Sequence, residues 1–69
     1  MPPSLSNFIK SQRKKHNLTQ LQLADRAGVG IRFIRDLEQG KPTLRLDKVN
    51  QVLGLFGHSM QPAPTRIEF

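Results

Sequence analysis

Arg32 and Arg35 stand three residues apart in the segment GIRFIRD, together with Gly30, Ile31 and Asp36. On a helix, residues at that spacing are surface neighbours. A guanidinium is a planar fork of donors that stays charged, and it matches acceptors held side by side, such as guanine O6 and N7. Arg35 lies one turn on, placed to read a base or to hold a phosphate. Ile31 suits the methyl group of thymine. Asp36 suits the amino group of cytosine, or pairs with Arg32 four residues earlier. Gly30 opens this helix and offers backbone alone. The chemistry on offer is recognition of an anionic, edge-presenting partner.

Catalysis finds no comparable support. His16 and His58 lack an adjoining carboxylate or nucleophile of useful spacing. There is no cysteine, no Cys/His cluster of zinc spacing and no glycine loop of the phosphate-cradling kind. The expectation is a non-enzyme with no metal and no cofactor.

Positioning two arginines on a short helix requires elements around it. A first helix is expected over residues 5–16, capped by Ser4 after the extended Pro2-Pro3, with Leu5, Phe8 and Ile9 on one face. Arg13, Lys14 and Lys15 fall in its last turn, where cations favour the helix dipole. TQLQ is a capping box that opens a second helix at Thr19; Leu23, Ala24 and Ala27 face inward, and Gly28 ends it. The third helix is expected over 31–39, burying Ile34 and Leu37, and closes at Gly40 ahead of Pro42. The fourth, over 45–56, carries Leu46, Val49, Leu53 and Phe56, widened by Val52 and Leu55. Gly57 stops it, HSMQ reads as a short strand, and Pro62 and Pro64 break regular structure beyond.

Two helices joined by a three-residue turn, the second rich in arginine, form the helix-turn-helix pattern. Its close crossing needs a small residue inside the first helix, Ala24. The turn needs a residue that tolerates positive φ, Gly28, and the second helix needs apolar anchors, Ile34 and Leu37. Leu23, Ala27 and Val29 complete the apolar set. Phe33 and Leu21 look outward by periodicity, partly covered by neighbours. The fold class is therefore all-α, a helix-turn-helix bundle of four main helices, with residues 1–57 as the DNA-binding domain and 58–69 as a strand and tail.

Size and charge agree with this. The chain has 69 residues, with eleven Lys and Arg against five Asp and Glu, a net charge of +6. A basic domain of this kind meets nucleic acid or an anionic surface. A domain this small buries only about 60% of its unfolded surface, so it needs tight helix packing or a second copy. The apolar stripe of the fourth helix is wider than one small domain requires, which points to a dimer face. The absence of cysteine suits a cytoplasmic location, and no segment is long and apolar enough to be a signal peptide or a membrane span. A cationic membrane-binding peptide is the competing class, but caps and glycines divide this chain into short packing segments.

LTQLQLADRAGV and FIRDLEQGKPT resemble the Xre-type DNA-binding domain of lambdoid phage repressors and Cro proteins, from about Leu5 to Phe56. GKPTLRLDKVNQVLGLFGHSM also resembles the HipB-like group, antitoxins in which a short strand after the fourth helix pairs across a dimer. The resemblance implies a homodimeric repressor on double-stranded, palindromic DNA. It further implies a HipA-like toxin kinase as partner and an autoregulated operon; a stand-alone phage-type repressor is the alternative. It implies a phosphate contact by Gln20, beside the base readout expected of Gly30, Ile31, Arg32, Arg35 and Asp36 in the first turns of the third helix. Lys41, Thr43, Arg45 and Lys14 are placed to reach the DNA backbone as well. Arg13 is expected to pair with Glu38 and fix the first helix on the third. Val52, Leu55, Phe56, His58, Ser59 and Met60 are the expected dimer residues. The family commonly has Ser or Thr at Gly30, so readout here leans harder on Arg32.

Overall fold

The computed structural model describes residues 4–61. Four helices follow in order: α1 (Leu5–Lys15), α2 (Gln20–Ala27), α3 (Ile31–Glu38) and α4 (Leu46–Leu55). The first two begin at side-chain caps. The Ser4 hydroxyl accepts from the Asn7 amide at 3.2 Å. The Thr19 hydroxyl accepts from the Gln22 amide at 3.1 Å while the Gln22 side chain accepts from the Thr19 amide at 2.8 Å, a complete capping box. Gly30 and Arg45 precede α3 and α4 without a side-chain cap.

All four helices end alike. Asn17, Gly28, Gly40 and Gly57 adopt positive φ, and the next residue donates back across the last turn. The pairs are Leu18 to Arg13, Val29 to Ala24, Lys41 to Asp36 and His58 to Leu53, at 2.9–3.0 Å. This closure satisfies carbonyls that a helix end leaves open, and it reverses the chain within two residues. Such abrupt ends let helices of 8 to 11 residues pack as separate rods.

The core is made by Ile9, Leu18, Leu23, Ala24, Ala27, Ile34, Leu37, Val49, Val52 and Leu53. Leu5, Phe8, Val29, Ile31, Phe33, Leu44 and Phe56 pack partly against it. α3 packs on α1 and α2, whereas α4 packs mainly on α2. Gln51 of α4 donates its side-chain amide to the carbonyls of Ala27 (2.9 Å) and Gly28 (3.3 Å). It thus caps α2 from outside and ties α4 to the turn that launches α3.

Three expectations are corrected. Val52 is fully buried inside the single chain and offers nothing to a second copy. Leu46, expected on the inward stripe, is 57% exposed at the start of α4. Residues 58–61 form no strand within the chain, since a strand needs a partner edge and the described residues supply none. Residues 62–69, including the tail, lie outside the described residues.

Gly54 sits inside α4 with ordinary backbone geometry and nothing within 4 Å of where a Cβ would stand. Gly54→Ala should therefore stabilise the domain by up to about 1 kcal/mol, about 4–8 °C in thermal unfolding. Gly28 differs: φ is +74°, and an added Cβ would lie 3.2 Å from the capping amide of Gln51. Gly28→Ala should lower stability by about 1 kcal/mol or more in the same scan. A Gly54→Ala protein that melts below the parent would contradict the first assignment, and a Gly28→Ala protein that melts no lower than the parent would contradict the second.

Candidate nucleic-acid interface

The site is built on the α2–α3 corner. Ala24, 1% exposed, and Ala27, 8% exposed, give α2 a low surface where α3 crosses. The turn Gly28-Val29-Gly30 reverses the chain, with Val29 tucked against the core. α3 then anchors through Ile34 and Leu37, both essentially buried. With one face fixed this firmly, the opposite face must point to solvent, and it holds Arg32 and Arg35. Both are exposed, and neither side chain has a hydrogen-bond or ion-pair partner among the described residues.

Neighbouring positions are more constrained. Ile31 is half-buried against the core, so only part of its side chain is open to a ligand. Phe33 is half-buried too, with the ammonium of Lys48 5.9 Å from its ring centroid, a cation–π arrangement that covers it. Leu21, by contrast, is 54% exposed and is not covered. Gly30 is exposed, with nothing within 4 Å of a would-be Cβ.

Asp36 does not turn back to Arg32. The Gly40 bend brings Lys41 over the end of α3, where its amide donates to the Asp36 carbonyl and its ammonium lies 3.5 Å from the carboxylate. The same closing turn that ends α3 thus selects the partner of Asp36 and leaves Arg32 unpaired. Lys41, Thr43 and Arg45 line the connection to α4 and are exposed. Arg45 pairs locally with Asp47 through bonds of 2.7 and 3.2 Å. Its hydrogen bonds hold that exposed carboxyl below its usual range. Lys14 is exposed in the last turn of α1.

One polar cluster lies behind this surface. Glu38, at the end of α3, is 3% exposed. Arg13 Nε donates to its Oε2 at 2.7 Å and Nη2 to its Oε1 at 3.0 Å, while Nη1 donates to the Leu18 carbonyl at 2.9 Å. One guanidinium therefore joins α1, the connection to α2, and α3. Gln20, the first residue of α2, adds a third donor to Glu38: its Nε2 lies 3.3 Å from Oε1.

At the end of α4 and in the segment after it, Leu55 and Met60 are 42% and 45% exposed. Phe56 is half-buried and stacks on His16 with centroids 5.4 Å apart. The exposed His58 packs edge-on against Phe8 at 4.8 Å, and its Nδ1 lies 2.8 Å from the Phe56 carbonyl, which can only accept. Ser59 is exposed, and the Met60 amide donates to Asn50 Oδ1 at 2.7 Å, which fixes this segment on α4. Among the described residues no group of acidic, His or Cys side chains could hold a metal ion, and no helix is long and apolar enough to cross a membrane.

Sequence reasoning had not singled out Leu18, Gln51, or the Gln20–Glu38 and Lys41–Asp36 contacts. Leu18 had a readable signal: it precedes the Thr19 cap by one residue, and Leu23 stands at the position that a hydrophobic staple joins to it. The polar contacts had none, because they depend on where one helix stands relative to another.

Removing one member of the buried pair leaves the other without its counter-charge, a loss of about 3–5 kcal/mol. Arg13→Ala and Glu38→Ala should each lower the urea midpoint sharply. The double variant should be less destabilised than the two single losses combined. Additive losses would show that the pair does not act as a unit.

The sequence matches the helix-turn-helix family over residues 9–61. It is also 49% identical, over 59 residues, to a protein of Sinorhizobium fredii (strain NBRC 101917 / NGR234) described as an uncharacterized HTH-type transcriptional regulator, the match covering 86% of this chain and 78% of that protein. A close α2–α3 crossing, a positive-φ turn and an outward arginine face show the same pattern in three dimensions: the chain belongs to the Xre-like helix-turn-helix family.

Proposed function

We propose that this protein is a sequence-specific transcriptional repressor that binds double-stranded DNA as a homodimer, with α3 entering the major groove. Its family and its relative make it a DNA-binding transcription regulator in kind. The observation that carries the finer reading is the pair Arg32 and Arg35, exposed and without protein partners on a helix whose other face is buried. Unpaired guanidinium groups on a rigid support are what bidentate recognition of guanine requires. Arg32 is the main reader and Arg35 reads or holds a phosphate. Gly30, Ile31 and Asp36 approach the same bases. Gln20, Lys41, Thr43, Arg45 and Lys14 hold the backbone, which fixes register and not sequence.

Dimerisation uses the exposed end of α4 and the segment after it: Leu55, Phe56, His58, Ser59 and Met60. Exposed Leu55 and Met60 support this, since large apolar side chains left in solvent at the end of a helix favour an interaction surface. A twofold dimer would read half-sites about 34–36 Å apart. The resemblance of residues 40–60 to HipB-like proteins supports a narrower reading, the autoregulating antitoxin of a HipBA-like operon. Footprinting upstream of its own gene, together with co-purification of the adjacent gene product, tests that reading. Protection there without a co-purifying kinase would favour a stand-alone repressor.

Arg32→Ala should relax base preference at one position and weaken the selected site by about 1–3 kcal/mol. Lys41→Ala should weaken all sequences alike. With about four phosphates neutralised per protomer, the dimer's log–log salt dependence should have a slope of about −7. An Arg32→Ala protein that still discriminates fully would sink the readout. Leu55→Asp should convert the dimer to monomers in sedimentation, without loss of helicity, and should weaken operator binding more than 10-fold. A variant that stays dimeric would remove α4 from the interface.

A further inference from the structure

Fixing α1 on α3 needs only the Arg13–Glu38 pair, yet Glu38 accepts a third bond. Its Oε1 takes Nη2 of Arg13 at 3.0 Å and Nε2 of Gln20 at 3.3 Å. Gln20 begins α2, at the edge of the surface proposed to meet DNA, and is itself half-buried. We propose that Glu38 is a positioning residue for DNA affinity: it holds the Gln20 amide by one N–H and thereby presents the second N–H to a DNA phosphate. This rests on reading Gln20 as a phosphate contact.

A primary amide has two N–H donors, so one bond to Glu38 leaves one for a ligand. Gln is among the side chains with most rotamer freedom to lose on ordering. Holding it in the free protein removes that loss from the binding step. Charge completes the arrangement. A carboxylate and a phosphate on the same nitrogen would repel, but Arg13 gives Glu38 two bonds and neutralises it. Arg13 is in turn held by the Leu18 carbonyl, the residue just before the α2 cap. The start of α2 is thereby locked to the end of α3, so the phosphate contact and the reading helix keep one relative position. Since every sequence presents phosphates, the effect is on affinity for all DNA and not on base preference.

The test is a double-variant cycle in the full chain. Gln20→Ala, Glu38→Leu and their combination are titrated, where circular dichroism shows each folded, against a duplex that the protein selects from a random pool. A scrambled duplex of equal length serves as the second probe. Gln20→Ala should weaken both duplexes by a similar factor, about 2- to 10-fold. Glu38→Leu should weaken them comparably, and the combination should lose nothing further. A purely structural Glu38 would give factors that multiply, and that result overturns the proposal while leaving the Gln20 contact standing. If Gln20→Ala itself changes nothing, the phosphate reading fails and the proposal with it. A measurement on the unsubstituted protein guards against variants that do not fold. The Gln20 side-chain amide should show a nitrogen-15 order parameter above about 0.6 in the absence of DNA. A lower value means that the amide is not held, and it overturns the proposal equally.

Discussion

A carboxylate buried at the end of α3 is the constraint around which this domain is organised. Glu38 cannot sit there as an isolated charge, because removing a carboxylate from water without partners is prohibitive. The structure meets that demand with donors from two other places, Arg13 on α1 and Gln20 on α2. Three helices are thereby committed to one mutual arrangement. Apolar packing by Ile9, Leu23, Ile34 and Leu37 supplies most of the driving force, but oily contacts tolerate small slips. A forked guanidinium on a carboxylate does not, since its two bonds need a shared plane. The pair is therefore better read as a register device than as a source of net stability.

The helix that carries the exposed arginines also has to stop. α3 has eight residues, barely two turns, and owes its independence to its ends more than to intrinsic helix preference. At one end Gly28 takes a left-handed conformation and Gln51 reaches across from α4 to satisfy the carbonyls left behind. At the other, Gly40 turns the chain so that Lys41 closes over Asp36. Neither closure uses the side chain of Arg32 or Arg35. The arginines stay available because other residues meet the local electrostatic and hydrogen-bonding demands around them.

Much of this was legible in residue order. The four helices, their caps and the inward positions Ile9, Leu23, Ala24, Ala27, Ile34 and Leu37 follow from spacing and from Ser, Thr and Gly at the ends. Such features are encoded within a few residues of one another, and short-range physics decides them. The opposing face of α3 was legible for the same reason. Failures concentrate where distant segments meet. Periodicity put Leu46 and Val52 on one broad stripe, but only packing between distant segments decides that Val52 is covered and Leu46 is not. Asp36 had two cations within reach in sequence, and the Gly40 bend decided for Lys41. Arg13 with Glu38 came from resemblance, because twenty-five residues separate them and no local pattern connects the two.

The exposed end of α4 shows how the same reasoning constrains assembly. Once Val52 and Leu53 are buried within the chain, the remaining apolar groups near this end are Leu55, Met60 and the half-buried Phe56. Phe56 lies flat on His16 and His58 leans on Phe8, so the surface is already partly ordered by its own aromatic contacts. The Met60 amide is tied to Asn50, which holds the chain against α4 as it leaves the helix. A partner meeting this surface therefore has little to reorganise. α4 packs on α2, and α2 leads into the turn that launches α3, so a second copy docked here would act on the spacing of the two α3 helices through one intervening helix. Gln51 is the physical link in that chain, since it joins α4 directly to the carbonyls of the turn.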